Sequence, residues 1–236
     1  MVTFTINVAG LAARVTAQFD STRDYCRLYL TDEQPQVSLH ITPADIAAER
    51  KGELAPFSDA YLETIALQRQ LTEALFHHDT LLFHGSVVAV DGAAYLFTAT
   101  SGTGKSTHTR LWRQVLGDRA VMVNDDKPYL RLTDTGALAC GSPWNGKHRL
   151  GSNIQVPLEA ICILERAPDN HIRPITPREA LLMLLQQSAR PRDPAGMPQY
   201  MELVDRLAGC VRFYRMGCNM EPAAAEMAYE AMRKDD

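Results

Sequence analysis

Between an apolar run, Tyr95 to Phe97, and a stretch of helical character stand Ser101, Gly102, Thr103, Gly104, Lys105, Ser106 and Thr107 in unbroken succession. These types in this order suit the holding of phosphate. Glycines at 102 and 104 let the backbone curl without Cβ clashes, so that successive N–H groups can converge on an anion. Lys105 offers a cation to the outer phosphates and Ser106 a hydroxyl to Mg²⁺, both at the start of a helix whose N-terminal end favours negative charge. One position departs from the strict G-x-x-x-x-G-K-[ST] spacing, because Ala99 stands where that pattern has glycine. Alanine fits that corner only with a negative φ. A plain turn beside a surface lysine is the competing reading, and the strand–loop–helix setting argues against it.

About twenty residues further on, Asn124, Asp125 and Asp126 close another apolar run. A carboxylate at the end of such a strand can hold Mg²⁺ or take a proton from an attacking hydroxyl. Adjacent residues on a strand point to opposite faces, so the two aspartates should play different parts. His84 precedes the loop, at the start of the apolar run that leads towards it; taken alone, such a histidine reads as an ordinary core residue. Ser142 to Arg149 contains Trp144, Lys147 and Arg149, a stacking face and two cations that could face a substrate or form a surface turn.

The elements that must position these groups follow from periodicity. Phe4, Ile6 and Val8, then Val15, Ala17 and Phe19, alternate as strands do, and Tyr25–Leu30 and Val37–Ile41 add two shorter candidates, predicting a β-meander. Pro56 to His77 carries a broad apolar stripe at helical spacing. Leu81–Val90 and Ala93–Thr98, joined by Asp91-Gly92, predict a hairpin. A helix is expected over Lys105–Val115, a strand over Arg119–Val123, a hairpin over Lys127–Cys140 and a buried strand over Glu159–Glu165. The last third reads as mostly helical, with Glu221–Arg233 opening on a proline and Ala189–Pro198 as a loop. The expected division is a β-rich annex over residues 1–55 and a nucleotide-binding catalytic domain over 56–236.

The 236 residues are 46% hydrophobic and 22% charged, with a formal charge of −4. Such a chain can bury a real core, and its acidity argues against nucleic-acid or membrane-surface partners. No apolar run nears the ~20 residues of a membrane helix. Five scattered cysteines without C-x-x-C spacing, and no visible secretion signal, lead to the expectation of a reduced, cytoplasmic protein. The apolar C-terminal helices would suit a contact between identical subunits.

Phe83-His-Gly-Ser86, Ser101 to Ser106 and Asn124 to Asp126, in this order, resemble the catalytic domain of HPr kinase/phosphorylase, and His148-Arg-Leu-Gly151 is more loosely similar to that family's Arg-Gly-Leu-Gly element. The loop is equally similar to that of ATP-dependent phosphoenolpyruvate carboxykinase, of the same superfamily. The resemblance spans roughly residues 81 to 165 and implies an α/β fold with a mixed sheet and a P-loop. It implies that Ser101 to Thr107 hold the phosphates of ATP, that Ser106 and Asp125 hold Mg²⁺, and that Asp126 is favoured as base. His84 would tune that base and Arg149 would stabilise the transferred group. The expected reaction is phosphorylation of a hydroxyl on a protein, peptide or small molecule. A non-catalytic nucleotide sensor is the alternative, favoured by Ala99 and opposed by the aspartate pair. Residues 1–80 show no match to that family.

Overall fold

The computed structural model describes residues 1–52 and 56–233, which form two units by internal contact, Met1–His78 and Asp79–Asp236. In the first unit, β1 (Val2–Val8) and β2 (Leu11–Ala17) pair antiparallel through a turn in which Ala9 and Gly10 both have positive φ, the two-residue geometry that matches strand twist. Phe4, Ile6 and Val8 are buried against Leu11, Ala13, Val15 and Ala17. β3 (Val37–His40) then joins β2 in parallel, so the sheet is not the simple meander that alternation suggests.

Tyr25–Leu30 is not a strand. It spans the end of α1 (Asp20–Tyr25) and a 3-10 turn, because the buried positions are Thr22, Cys26 and Tyr29, which recur at helical spacing, while Leu28 is exposed. A helix the alternation pattern missed, α2 (Pro43–Glu49), begins with a capping box between Thr42 and Asp45 and a proline in its first turn. α3 (Asp59–Phe76) forms where the apolar stripe predicts, capped by Ser58. Its Glu63 is fully buried and accepts hydrogen bonds from the amides of Gln18 and Phe19 and from the Thr22 hydroxyl. Those bonds hold α3 in the first unit, whereas the boundary expected at 55/56 would have put it at the head of the second; residue 55 itself lies outside the described residues.

The second unit is mixed α/β. Its sheet runs β4 (Thr80–Leu82), β8 (Tyr129–Thr133), β9 (Gly136–Cys140), β10 (Gln155–Arg166), β6 (Ala93–Thr98), β5 (Ser86–Val90) and β7 (Ala120–Asn124), with β12 (Arg212–Cys218) also on β10 and β11 (His171–Ile175) on β12. The expected run Leu81–Val90 is two strands, parted at Phe83 to Gly85. β10 lies parallel to both β6 and β12. β12 falls in the third that composition suggested was mostly helical. A parallel strand covered on both faces has no alternation to read, and Phe213, Tyr214 and Met216 are all buried. α5 (Pro177–Gln187), α6 (Met197–Cys210) and α7 (Pro222–Met232) complete the unit, and α4 (Lys105–Leu116) follows the glycine loop.

Behind that loop, Trp112 of α4 is wholly buried and packs its ring against Tyr95, Phe97 and Tyr229. This cluster joins α4 to β6 and α7, and Ala99 belongs to it. Trp112→Ala should therefore lower the unfolding free energy of this unit by about 3–5 kcal/mol, read from the denaturant midpoint.

Candidate active site

β6 ends at Thr98 and the chain turns through Gly102 (φ +78°) and Gly104 (φ +119°) into α4, conformations that a side chain would strain. Ala99 is buried and is not among the non-glycine residues with positive φ, so alanine satisfies the condition set for that corner. Within the loop the Thr103 amide donates to the Thr100 carbonyl at 3.3 Å. Lys105 folds back so that its Nζ donates to the Ala99 carbonyl at 3.4 Å. Burial lowers the Lys105 pKa from its ordinary value, and Asp126 opposes that fall.

The acidic pair lies just beyond β7. The Asn124 side-chain oxygen accepts from the amides of Asp126 and Lys127 at 2.9 and 2.7 Å, and its Nδ2 donates to Ser142. This buried asparagine shapes the turn that sends the two aspartates apart. Asp125 is buried; the Ser86 hydroxyl donates to its Oδ1 at 2.6 Å, and Ser106 lines the same cavity as Asp125. Burial raises the Asp125 pKa, and the two serines pull it back. Asp126 turns the other way, with its Oδ1 3.5 Å from His84 Nε2. Burial lowers the His84 pKa, as do Lys127 and Lys105, so the ring is neutral near pH 7.

The segment Phe83 to Ser86 is set against this turn by backbone bonds. The Gly85 amide donates to the Asp126 carbonyl at 3.1 Å, the His84 amide to the Gln187 carbonyl at 2.8 Å, and Thr98 Oγ1 to the His84 carbonyl at 3.1 Å. A Cβ on Gly85 would lie 3.1 Å from the Phe97 carbonyl oxygen, so glycine permits the close approach that puts His84 and Ser86 on either side of the acidic turn.

A cavity of about 430 Å³ opens beside Ser106 and Asp125, lined also by Arg110, Arg113 and His148. Arg149 does not line it. This residue has a positive φ and lines a neighbouring cavity with Arg113, Gly117 and Ser152. Trp144 is buried, its carbonyl accepting from the Lys127 amide, and so offers no free stacking face. Thus the structure brings together the loop, Asp125, Asp126 and His84, and sets Arg149 apart. Sequence reasoning gave no part to Ser86, Lys127, His148 or Arg166, whose guanidinium donates to the loop carbonyls of Gly102 and Thr103. Ser86 stood in the quoted Phe83–Ser86 motif and Lys127 directly follows the acidic pair; nothing in the sequence marks Arg166.

Residues 51–205, about two thirds of the chain, match the family model described as SynChlorMet cassette protein ScmC, and the chain belongs to that family. No curated protein matches it. Among solved structures, it is similar to the Hpr(Ser) kinase/phosphatase from Coxiella burnetii, at 13% identity over 64% of this chain and 95% of that one, with a TM-score of 0.39. A likeness this loose says nothing about activity. Among the described residues no helix is long and apolar enough to cross a membrane.

His108, in the first turn of α4, gives this region a pH dependence. Its Nε2 accepts from Trp112 Nε1 at 3.1 Å, its buried Nδ1 has no partner among the described residues, and burial pushes its pKa from 6.5 down to about 4. On acidification the unfolded chain binds this proton first, so stability present above pH 6.5 is lost as pH falls towards 4. The loss should be on the order of 3 kcal/mol. His108→Gln should flatten that slope in denaturant unfolding measured across the interval.

Proposed function

We propose that this chain is an ATP-dependent phosphotransferase of the HPr-kinase-like kind, transferring the γ-phosphoryl group to a serine or other hydroxyl of a protein, peptide or small molecule. The observation that carries the reading is that Ser106, at the start of α4, lines one cavity with Asp125, beside Lys105 and near the Asp126–His84 pair. Phosphoryl transfer asks mainly for positioning and for positive charge around the moving group, and these are the types of residue gathered here.

Ser106 and Asp125 are a hard-oxygen donor pair suited to Mg²⁺. Among the described residues no group of three His, Cys, Asp or Glu side chains could hold a metal ion. Magnesium in nucleotide sites commonly rests on one or two carboxylates with the substrate's own phosphates, so this pair is sufficient. When bound, Mg²⁺ supplies neutralisation of charge on the phosphate oxygens.

The amides of Ser101 to Thr107 would receive the phosphates, with Lys105 on the outer ones. Asp126 takes the proton as the acceptor oxygen forms its bond to phosphorus and the bond to the departing ADP breaks. Neutral His84 holds the Asp126 carboxylate in place and adds no competing charge. Arg149 would reach the transferred group only on leaving its neighbouring cavity, so Lys105 and Lys127 are the cations assigned to that charge. Ala99, which does not have a positive φ, is compatible with a phosphate loop and so favours the catalytic reading over a sensor.

The test is incubation of the purified chain with γ-labelled ATP, Mg²⁺ and an extract of its own cells. One acceptor should be labelled. Asp126→Asn should lower the labelling rate about 100-fold or more while nucleotide binding persists, and Lys105→Ala should weaken binding itself. Equal labelling by both variants would sink the reading; tight ATP binding with no labelled acceptor would mark a sensor instead.

A further inference from the structure

Arg166 has no part in the reaction described above. It ends β10, whose Ile163 pairs with Thr98 of β6, so the strand carries Arg166 past the sheet to the outside of the glycine loop. There its guanidinium donates to the Gly102 carbonyl and, at 3.5 Å, to the Thr103 carbonyl. Among the described residues no carboxylate pairs with it, and the adjacent Glu165 is engaged by Arg215.

In a trans peptide the C=O and the following N–H point to opposite sides. Drawing the Thr103 carbonyl towards Arg166 therefore turns the Gly104 amide into the curl, and drawing the Gly102 carbonyl the same way holds the Thr103 amide on the Thr100 carbonyl. Glycine at 102 and 104 makes this loop able to adopt its shape and equally able to leave it, since glycine has the widest choice of backbone conformations. A charge-assisted donor fixed to a central strand restricts that choice.

We propose that Arg166 is a positioning residue that braces the loop from outside and fixes its amides for phosphate. The phosphate part rests on the function proposed above. The brace itself can be read without nucleotide, from hydrogen exchange of the free chain over residues 99–107. Arg166→Ala should speed exchange of the Thr103 and Gly104 amides about tenfold, with an unchanged unfolding midpoint, and Arg166→Lys should fall between. In calorimetry, Mg-ATP, Mg-ADP and pyrophosphate should all bind the Ala variant about tenfold more weakly. With nucleotide saturating, kcat should be little changed.

Unaltered exchange in the Ala variant would overturn the brace. A loss confined to ATP would overturn it too, in favour of a direct contact with the γ-phosphate. Should the wild-type chain bind no nucleotide while the exchange difference remains, the brace stands and the phosphate reading falls.

Discussion

A carboxylate taken out of water must be matched by donors, or its burial disfavours the fold. Asp125 is matched by the Ser86 hydroxyl at the start of β5, with Ser106 of the first turn of α4 nearby also favouring its charged form. Ser86, whose proton goes to Asp125, accepts from the Thr109 hydroxyl of α4 at 2.8 Å. One buried acid thus ties the sheet to the helix that carries the glycine loop. The same bonds keep Asp125 from rising further in pKa, so its charge and its place in the fold have one cause.

The chain is acidic as a whole, yet cations gather around the acidic pair. Lys105 and Lys127 both act on His84, and Arg110 and Arg113 line the cavity by Asp125. Cations crowded together disfavour each other's protonated forms, which helps keep His84 neutral. An anion would relieve that crowding. This is the electrostatic side of the case for a phosphate ligand, and it is independent of any motif. Backbone constraint accompanies it: Gly102, Gly104 and Gly146 have positive φ, in the segments that frame the acidic turn.

Much of this was legible in the residues. The loop, the aspartates and His84 announced themselves by type and order, and the structure brings them together. The hairpin at Asp91-Gly92, the helix after the loop and the long α3 follow from turn chemistry and periodicity. What escaped notice had weak local signals. α2 was readable from Thr42, Pro43 and Asp45 but carries little apolar pattern, and β12 is buried on both faces and shows no alternation. Arg149 was drawn in by a loose resemblance of its neighbours, and its backbone, turned to positive φ, leads to another cavity.

By itself the sequence determined which residues could do chemistry, because glycine, lysine, serine and aspartate at those spacings have few other uses. It also determined the local elements, which depend on contacts a few residues apart. Only the tertiary structure decided that Ser86 links Asp125 to Thr109 of α4, that α3 belongs with the N-terminal strands, and that Arg166 reaches the loop 64 positions away. Those are matters of contact between elements far apart in the chain, and no short window along it contains both partners.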